Sequence, residues 1–145
     1  MIRTMRMEDY PAVYALWMSC AGMGLNNLDD SREGIARYLA RNPDTCFVAE
    51  EDGQIAGVIL SGHDGRRGFI HHTAVLEAYR GRGIGSALVR SALSALHACG
   101  IHKVALVVFS RNRQGNAFWE KQGFTAREDL TYRNCALDAM ERIDT

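Results

Sequence analysis

Residues 79–93, YRGRGIGSALVRSAL, set three glycines and two arginines directly before an apolar run with helical spacing. Backbone N–H groups at the start of a helix collect at the positive end of its dipole and form a site for an anion. Gly81, Gly83 and Gly85 let an anion's oxygens approach that backbone with no Cβ in the way. Arg80 and Arg82 add charge, Ile84 begins the apolar stripe, and Ser86 adds a hydroxyl donor. Arg66, Arg67, Arg111 and Arg113 stand in loops able to bring further cations. Tight strand-to-helix packing is the competing explanation for such a turn. Two nucleotide motifs fail on spacing. A dinucleotide fingerprint needs a third glycine where Ser86 stands, and a P-loop needs a Lys-Ser or Lys-Thr pair that the chain lacks.

Other reactive groups are dispersed. Cys20, Cys46, Cys99 and Cys135 form no CxxC pair and no metal-type Cys/His spacing, so no metal site is expected. Reduced structural thiols in a cytoplasmic protein are the expectation. The chain carries 17 Lys and Arg against 17 Asp and Glu, so no global charge draws it to nucleic acid or anionic membrane. Glu8, Asp9 and Pro11 interrupt the stretch where a signal peptide keeps its apolar core. No apolar run approaches the ~20 residues of a membrane span. The expected setting is cytoplasmic, with neither nucleic acid nor membrane as partner.

The elements that must position the glycine turn follow from pattern. Residues 2–5 read as a short strand, and residues 8–20 as a helix with Asp9 as N-cap and Pro11 in its first turn. After a loop rich in Gly, Asn and Asp, Ser31 caps a second helix that Pro43 stops. Residues 45–62 read as a hairpin turning at Asp52-Gly53. FIHHTAV is the next strand, and a helix follows from Ser86 to about Cys99, closed by Gly100. KVALVVF has the continuous apolar character of a central strand covered on both faces. A short helix ending at Gly123 precedes two closing strands, FTARE and LTYRNCALDA. The order β-α-α-β-β-β-α-β-α-β-β predicts one α/β (α+β) domain over residues 1–145, a mixed sheet with helices packed on its faces.

These segments resemble the GCN5-related N-acetyltransferase (GNAT) superfamily. Its [Q/R]-x-x-G-x-[G/A] motif is met by Arg80, Gly83 and Gly85, and NRQGNAFWEKQGF is similar to its N-x-x-A-x-x-[LF]-Y-E-K-x-G-F segment. The resemblance runs the length of the chain and implies a mostly antiparallel central sheet. It also implies acetyl-CoA as acyl donor, with Arg80, Gly81, Arg82, Gly83, Ile84, Gly85 and Ser86 around its pyrophosphate. By the same resemblance, the Thr73 N–H faces the thioester carbonyl, and Val75 and Asn112 contact the pantetheine arm.

Acetyl transfer to an amine requires a neutral amine, a polarised carbonyl and a departing thiolate. The family often carries a glutamate where this chain has Phe69, and a tyrosine as general acid where it has Trp119. An indole N–H donates a hydrogen bond but cannot deliver a proton at neutral pH. Strand alternation sets residues 69, 71 and 73 on one face, which makes His71 the candidate base and turns His72 away. Tyr132 is the candidate replacement acid. Asp29, Asp30 and Glu33, with Trp17 and Met23, are candidates for the acceptor side. The implied reaction is direct attack of a small-molecule or peptide amine in a ternary complex. A non-catalytic acyl-CoA sensor, a protein N-terminal or lysine acetyltransferase, and a homodimer stay open alternatives.

Overall fold

The computed structural model describes residues 1–143. A five-stranded sheet runs in the order β1 (Ile2–Thr4), β3 (Phe47–Glu51), β4 (Gln54–His63), β5 (Gly68–Val75), β6 (Val104–Ala105). All pairings in it are antiparallel except β5 with β6, which is parallel. One face is covered by α1 (Tyr10–Met18) and α2 (Arg32–Arg41), the other by α3 (Ile84–Ala98). The sheet therefore separates two apolar layers. Val13, Leu16, Trp17, Ile35 and Leu39 meet Val48, Val58 and Leu60 on the first face. Leu88, Val89 and Ala92 meet Ala49, Ile59 and Ile70 on the second. The alternation of Val58, Ile59 and Leu60 between layers is the period-2 signature of a strand buried on both sides. Among the described residues, no helix is long and apolar enough to cross a membrane.

Local chemistry sets most boundaries. Ser31 accepts the Gly34 N–H at 3.0 Å and caps α2. Asp52 and Gly53 both take positive φ, 52° and 77°, as a two-residue hairpin turn requires. Asp9 does not cap α1. Its carboxylate accepts the Arg6 N–H and two guanidinium N–H groups of Arg3, each at 2.8 Å, while Arg3 Nε also donates to Glu50 at 2.6 Å. This network joins β1, the 3-10 turn Met7–Asp9 and β3.

The Arg3 hydrogen bonds hold the Asp9 carboxyl below the usual carboxylate range, against the opposing effect of burial. A depressed carboxylate contributes stability that is present above its ordinary value and lost as pH falls toward the lowered one. Asp9→Asn is therefore expected to cost roughly 2–4 kcal/mol at pH 7, with the gap to wild type narrowing below about pH 4. Urea titrations at pH 7 and pH 3 check this; an equal gap at both would contradict it.

The C-terminal third departs from the sequence reading. Only Val104–Ala105 of KVALVVF enters a ladder, and it forms the sheet edge, leaving Val107 58% exposed. After α4 (Arg113–Lys121) the two expected closing strands are absent, and residues 125–142 are exposed. Arg127 folds onto Asp129 through two bonds of 2.8 Å, beside a turn at residues 128–129 where a strand was expected. Charged and polar residues at 127–129, 133–134 and 138 leave that segment no continuous apolar face to bury. A short ladder was missed instead: β2 (Leu25–Asn26) pairs with β7 (Arg142–Ile143), tying the end of the described chain to the loop between α1 and α2.

Candidate active site

Strands β5 and β6 pair only at Gly68–Val104 and Phe69–Ala105. Beyond Phe69, β5 continues to Val75 with no strand partner on that side among the described residues, so the sheet opens into a cleft of about 2140 Å³. That exceeds a typical single-ligand pocket of about 300–1,000 Å³ and suits two substrates side by side. Its walls include the start of α3, the β5 segment His71–Val75, the loop before α4 and the loop between α1 and α2.

At one end lies the glycine turn. Gly81 and Gly83 have φ of 78° and 81°, a conformation that costs side-chain-bearing residues strain, and Gly83 is the N-cap of α3. Gly83, Ile84, Gly85 and Ser86 line the cleft, and the first turn of a helix leaves backbone N–H groups without intrahelical partners. A Cβ on Gly85 would come within 3.2 Å of the Phe118 ring, so this glycine also serves packing against α4. Arg80 lines the cleft, but its Nε donates to the Val75 carbonyl at 3.0 Å and its Nη2 lies 3.6 Å from Cys20 Sγ. Arg82 stands outside the cleft wall, its guanidinium 5.0 Å over the Tyr79 ring. The Ser86 hydroxyl accepts a bond from Gln122 at 2.9 Å and keeps its own hydrogen to donate. Asn112 caps α4 through the Gly115 N–H at 2.9 Å and lines the cleft as well.

At the centre, β5 carries a bulge. Val58 pairs with Ala74 and Leu60 with His71, so Ile59 alone opposes both His72 and Thr73. The extra residue reverses the alternation. Ile70 packs in the α3 layer whereas Ala74, four residues on, packs in the α1–α2 layer. His71 and His72 consequently lie on the same side of the sheet, their rings 6.4 Å apart; His71 packs edge-on to Tyr38 of α2 and His72 edge-on to Trp17 of α1. The expectation that His72 turns away, and that Thr73 shares the face of Phe69 and His71, is corrected by this bulge.

The two imidazoles differ. His71 is open to the cleft, with no hydrogen-bond partner among the described residues and Phe69 4.7 Å away. Dense protein around the cleft floor, then the neighbouring His72, hold its pKa below the usual histidine value, with Asp30 and Asp29 opposing. That shift favours the neutral imidazole, the form able to accept a proton. His72 is mostly buried, and its Nε2 lies 2.7 Å from Asp30 Oδ1. Asp30 is itself buried, and its other oxygen accepts the Asn26 N–H at 2.8 Å. Sequence alternation had no means of finding this pair, which joins positions 42 residues apart.

The remaining candidates divide. Thr73 sits in the bulge and lines the cleft, its hydroxyl donating to the His71 carbonyl at 3.1 Å. Tyr132 lines the cleft from irregular chain rather than a strand and is 66% exposed. Asp29 and Met23 are in the lining, Glu33 is not, and Trp17 is wholly buried behind His72. Arg67 and Arg111 reach the cleft; Arg66 and Arg113 do not. Cys20, expected as a structural thiol, also lines it, but is only 8% exposed. Phe69 and Trp119 occupy the wall with no carboxylate or phenol of their own.

The chain that carries this cleft has relatives among known proteins. Residues 10–124 match the acetyltransferase (GNAT) family model. An acetyltransferase of Pectobacterium atrosepticum is 35% identical over 130 residues, covering 90% of this chain and 91% of that protein. One of Sodalis glossinidius is 34% identical, covering 89% of each. Among solved structures, Ard1 of Thermoplasma volcanium superposes with a TM-score of 0.77 at 25% identity, covering 86% of this chain and 82% of that one. Rv2747 of Mycobacterium tuberculosis, solved in complex with CoA, gives 0.72 at 26%, covering 88% and 73%. The chain belongs to the GNAT acetyltransferase family.

Proposed function

We propose that this protein transfers the acetyl group of acetyl-CoA to a primary amine by direct attack in a ternary complex. The observation that carries the reading is that one cleft holds both the glycine turn at the start of α3 and the histidine pair on the β5 bulge. Family membership supports acetyl-CoA as the donor. In this reading the N–H groups from Gly81 to Ser86 hold the pyrophosphate, with Arg80 swinging from Val75 to add charge. Arg82 reaches the phosphates only by leaving Tyr79. Val75 and Asn112 flank the pantetheine arm, and the Thr73 N–H, in the bulge, polarises the thioester carbonyl. His71 takes a proton from the arriving ammonium, which Asp29 at the cleft wall helps attract. Tyr132 returns a proton to the thiolate, or water does so, since a thiolate near pKa 8.5 leaves readily. A cysteine-linked acetyl intermediate finds little support: Cys46 is buried, its thiol pushed up to about 12, and Cys20 lies under Arg80.

The test is thiol release from acetyl-CoA across sets of amino acids, polyamines, amino sugars and short peptides. Release that depends on an amine, with the acetylated product seen by mass spectrometry, is the expected result. Binding of acetyl-CoA without release by any amine would favour the sensor reading that Phe69 and Trp119 keep open. Peptide-only turnover would assign a protein acetyltransferase. His71→Ala is expected to lower kcat by about 10²-fold or more. Because His71 has a depressed pKa, the wild-type rate should stay flat through pH 7 and fall only below about pH 6.5. Unchanged turnover of the variant from pH 6 to 9 would remove His71 from the mechanism.

A further inference from the structure

An alkylammonium loses two protons on its way to an amide. One leaves before the nitrogen lone pair attacks; the other leaves once the N–C bond has formed and the C–S bond breaks. The thiolate takes up one proton, so one net proton is released per turnover. A single imidazole serves the first loss, and the cleft contains a second.

His72 is held more firmly than His71. Its Nε2 is fixed on Asp30 at 2.7 Å, and its ring packs 5.1 Å from that of Trp17. Asp30 is fixed in turn by the Asn26 N–H, while its carbonyl accepts the Tyr10 hydroxyl at 2.7 Å. A carboxylate at Nε2 sets the tautomer with hydrogen on that nitrogen and leaves Nδ1 with a lone pair. Nδ1 has no hydrogen-bond partner among the described residues and is not among their sealed, unpaired buried atoms. His72 lines the cleft on the same face as His71. A base held by a carboxylate that stabilises the imidazolium once it forms is the arrangement used to activate nucleophiles in acyl transfer.

We propose that the Asp30–His72 couple is a second proton acceptor of the amine site, taking through Nδ1 the proton that the nitrogen loses after attack. The couple rests on the transferase reading above. It places the acceptor side in the loop between α1 and α2, since Asp30 belongs to that loop and orders it against β5. His72 then passes that proton on, by way of Tyr132 or water, to the departing thiolate, so that only the first proton is released to solvent. Titratable and charged groups around the pair include His71 on β5, Asp29 in the same loop, Tyr10 on α1 with Tyr14 beside it, and, from α2, Arg32 over the Tyr10 ring and Tyr38 against His71. These must be assigned alongside it in any pH profile.

Two measurements test the couple. Imidazole ¹⁵N NMR of the protein alone at pH 7.5 should find His72 protonated at Nε2 and bare at Nδ1, and Asp30→Asn should abolish that preference. With the amine that gives the fastest wild-type thiol release, His72→Gln should lower kcat about 10²–10³-fold and leave acetyl-CoA affinity within twofold. Asp30→Asn should lower kcat about tenfold or more and move the acid limb of its pH profile. A His72 bare at Nε2, or a folded His72→Gln variant with kcat within threefold of wild type, overturns the proposal. Should His72→Gln melt early, Asp30→Asn decides on the same readouts. If the wild type acetylates no amine at all, the parent reading fails and the couple falls with it; an active wild type with an indifferent His72 sinks the couple alone.

Discussion

Gly83→Asp is expected to abolish acetyl-CoA binding while leaving a folded protein. Gly83 has φ 81° and caps α3, and a Cβ built on it meets no atom within 4 Å. The cost to the fold is therefore backbone strain alone, about 1–2 kcal/mol, a modest part of a domain's stability. The cost to binding is much larger. The new carboxylate would sit among the N–H groups proposed to receive the pyrophosphate, setting anion against anion and filling the space its oxygens would need. A loss of at least 100-fold in affinity, with a melting temperature lowered by only a few degrees, is the expected pair of results. Gly83→Asn separates the two effects, because Asn tolerates the left-handed region and carries no charge. It should lose far less affinity than Gly83→Asp. Equal losses in the two variants would mean that shape, not charge, governs the turn.

Trp17→Ala carries the largest stability effect. Trp17 is wholly buried, packs with Val13, Leu16 and Ile35 under β4, and presents its ring to Tyr14 and His72. Truncating it leaves a cavity between α1 and the sheet and should cost about 3–5 kcal/mol. Its indole N–H is buried without a hydrogen-bond partner. Trp17→Phe, which removes that unsatisfied donor and keeps most of the ring, should cost less than half as much. Both losses are measurable by urea denaturation. Trp17→Ala should also loosen His72, whose ring would lose its wall. A Trp17→Ala variant destabilised by less than 1 kcal/mol would mean that this layer of the core can collapse onto itself.

Features set by a few adjacent residues were legible in the sequence. Asp52-Gly53 demanded positive φ at two successive positions, Ser31 offered a side-chain acceptor at a helix start, and Gly100 took φ 83° at a helix end. Each depends on local backbone chemistry. The glycine turn was legible for the same reason. The β5 bulge was not, because an inserted residue shows only when strand partners are counted against each other, as Ile59 is against His72 and Thr73. His72 was misplaced on that account, and its carboxylate partner in a distant loop was invisible. The apolar run from Val104 to Phe109 suggested a central strand, yet hydrophobicity alone does not supply neighbours. With no ladder from residues 124–139, it ends as an edge. The type and place of Arg80 point to a phosphate ligand, while its bond to the Val75 carbonyl depends on where β5 stops and has no sequence signal.

Calorimetric titration of the purified protein with acetyl-CoA is the decisive experiment for the proposed binding at the glycine turn. One site per chain with micromolar affinity, lost in Gly83→Asp, is the expected result. Absence of binding to the folded wild-type protein would contradict it, and would leave the turn at residues 80–86 as packing between strand and helix and nothing more.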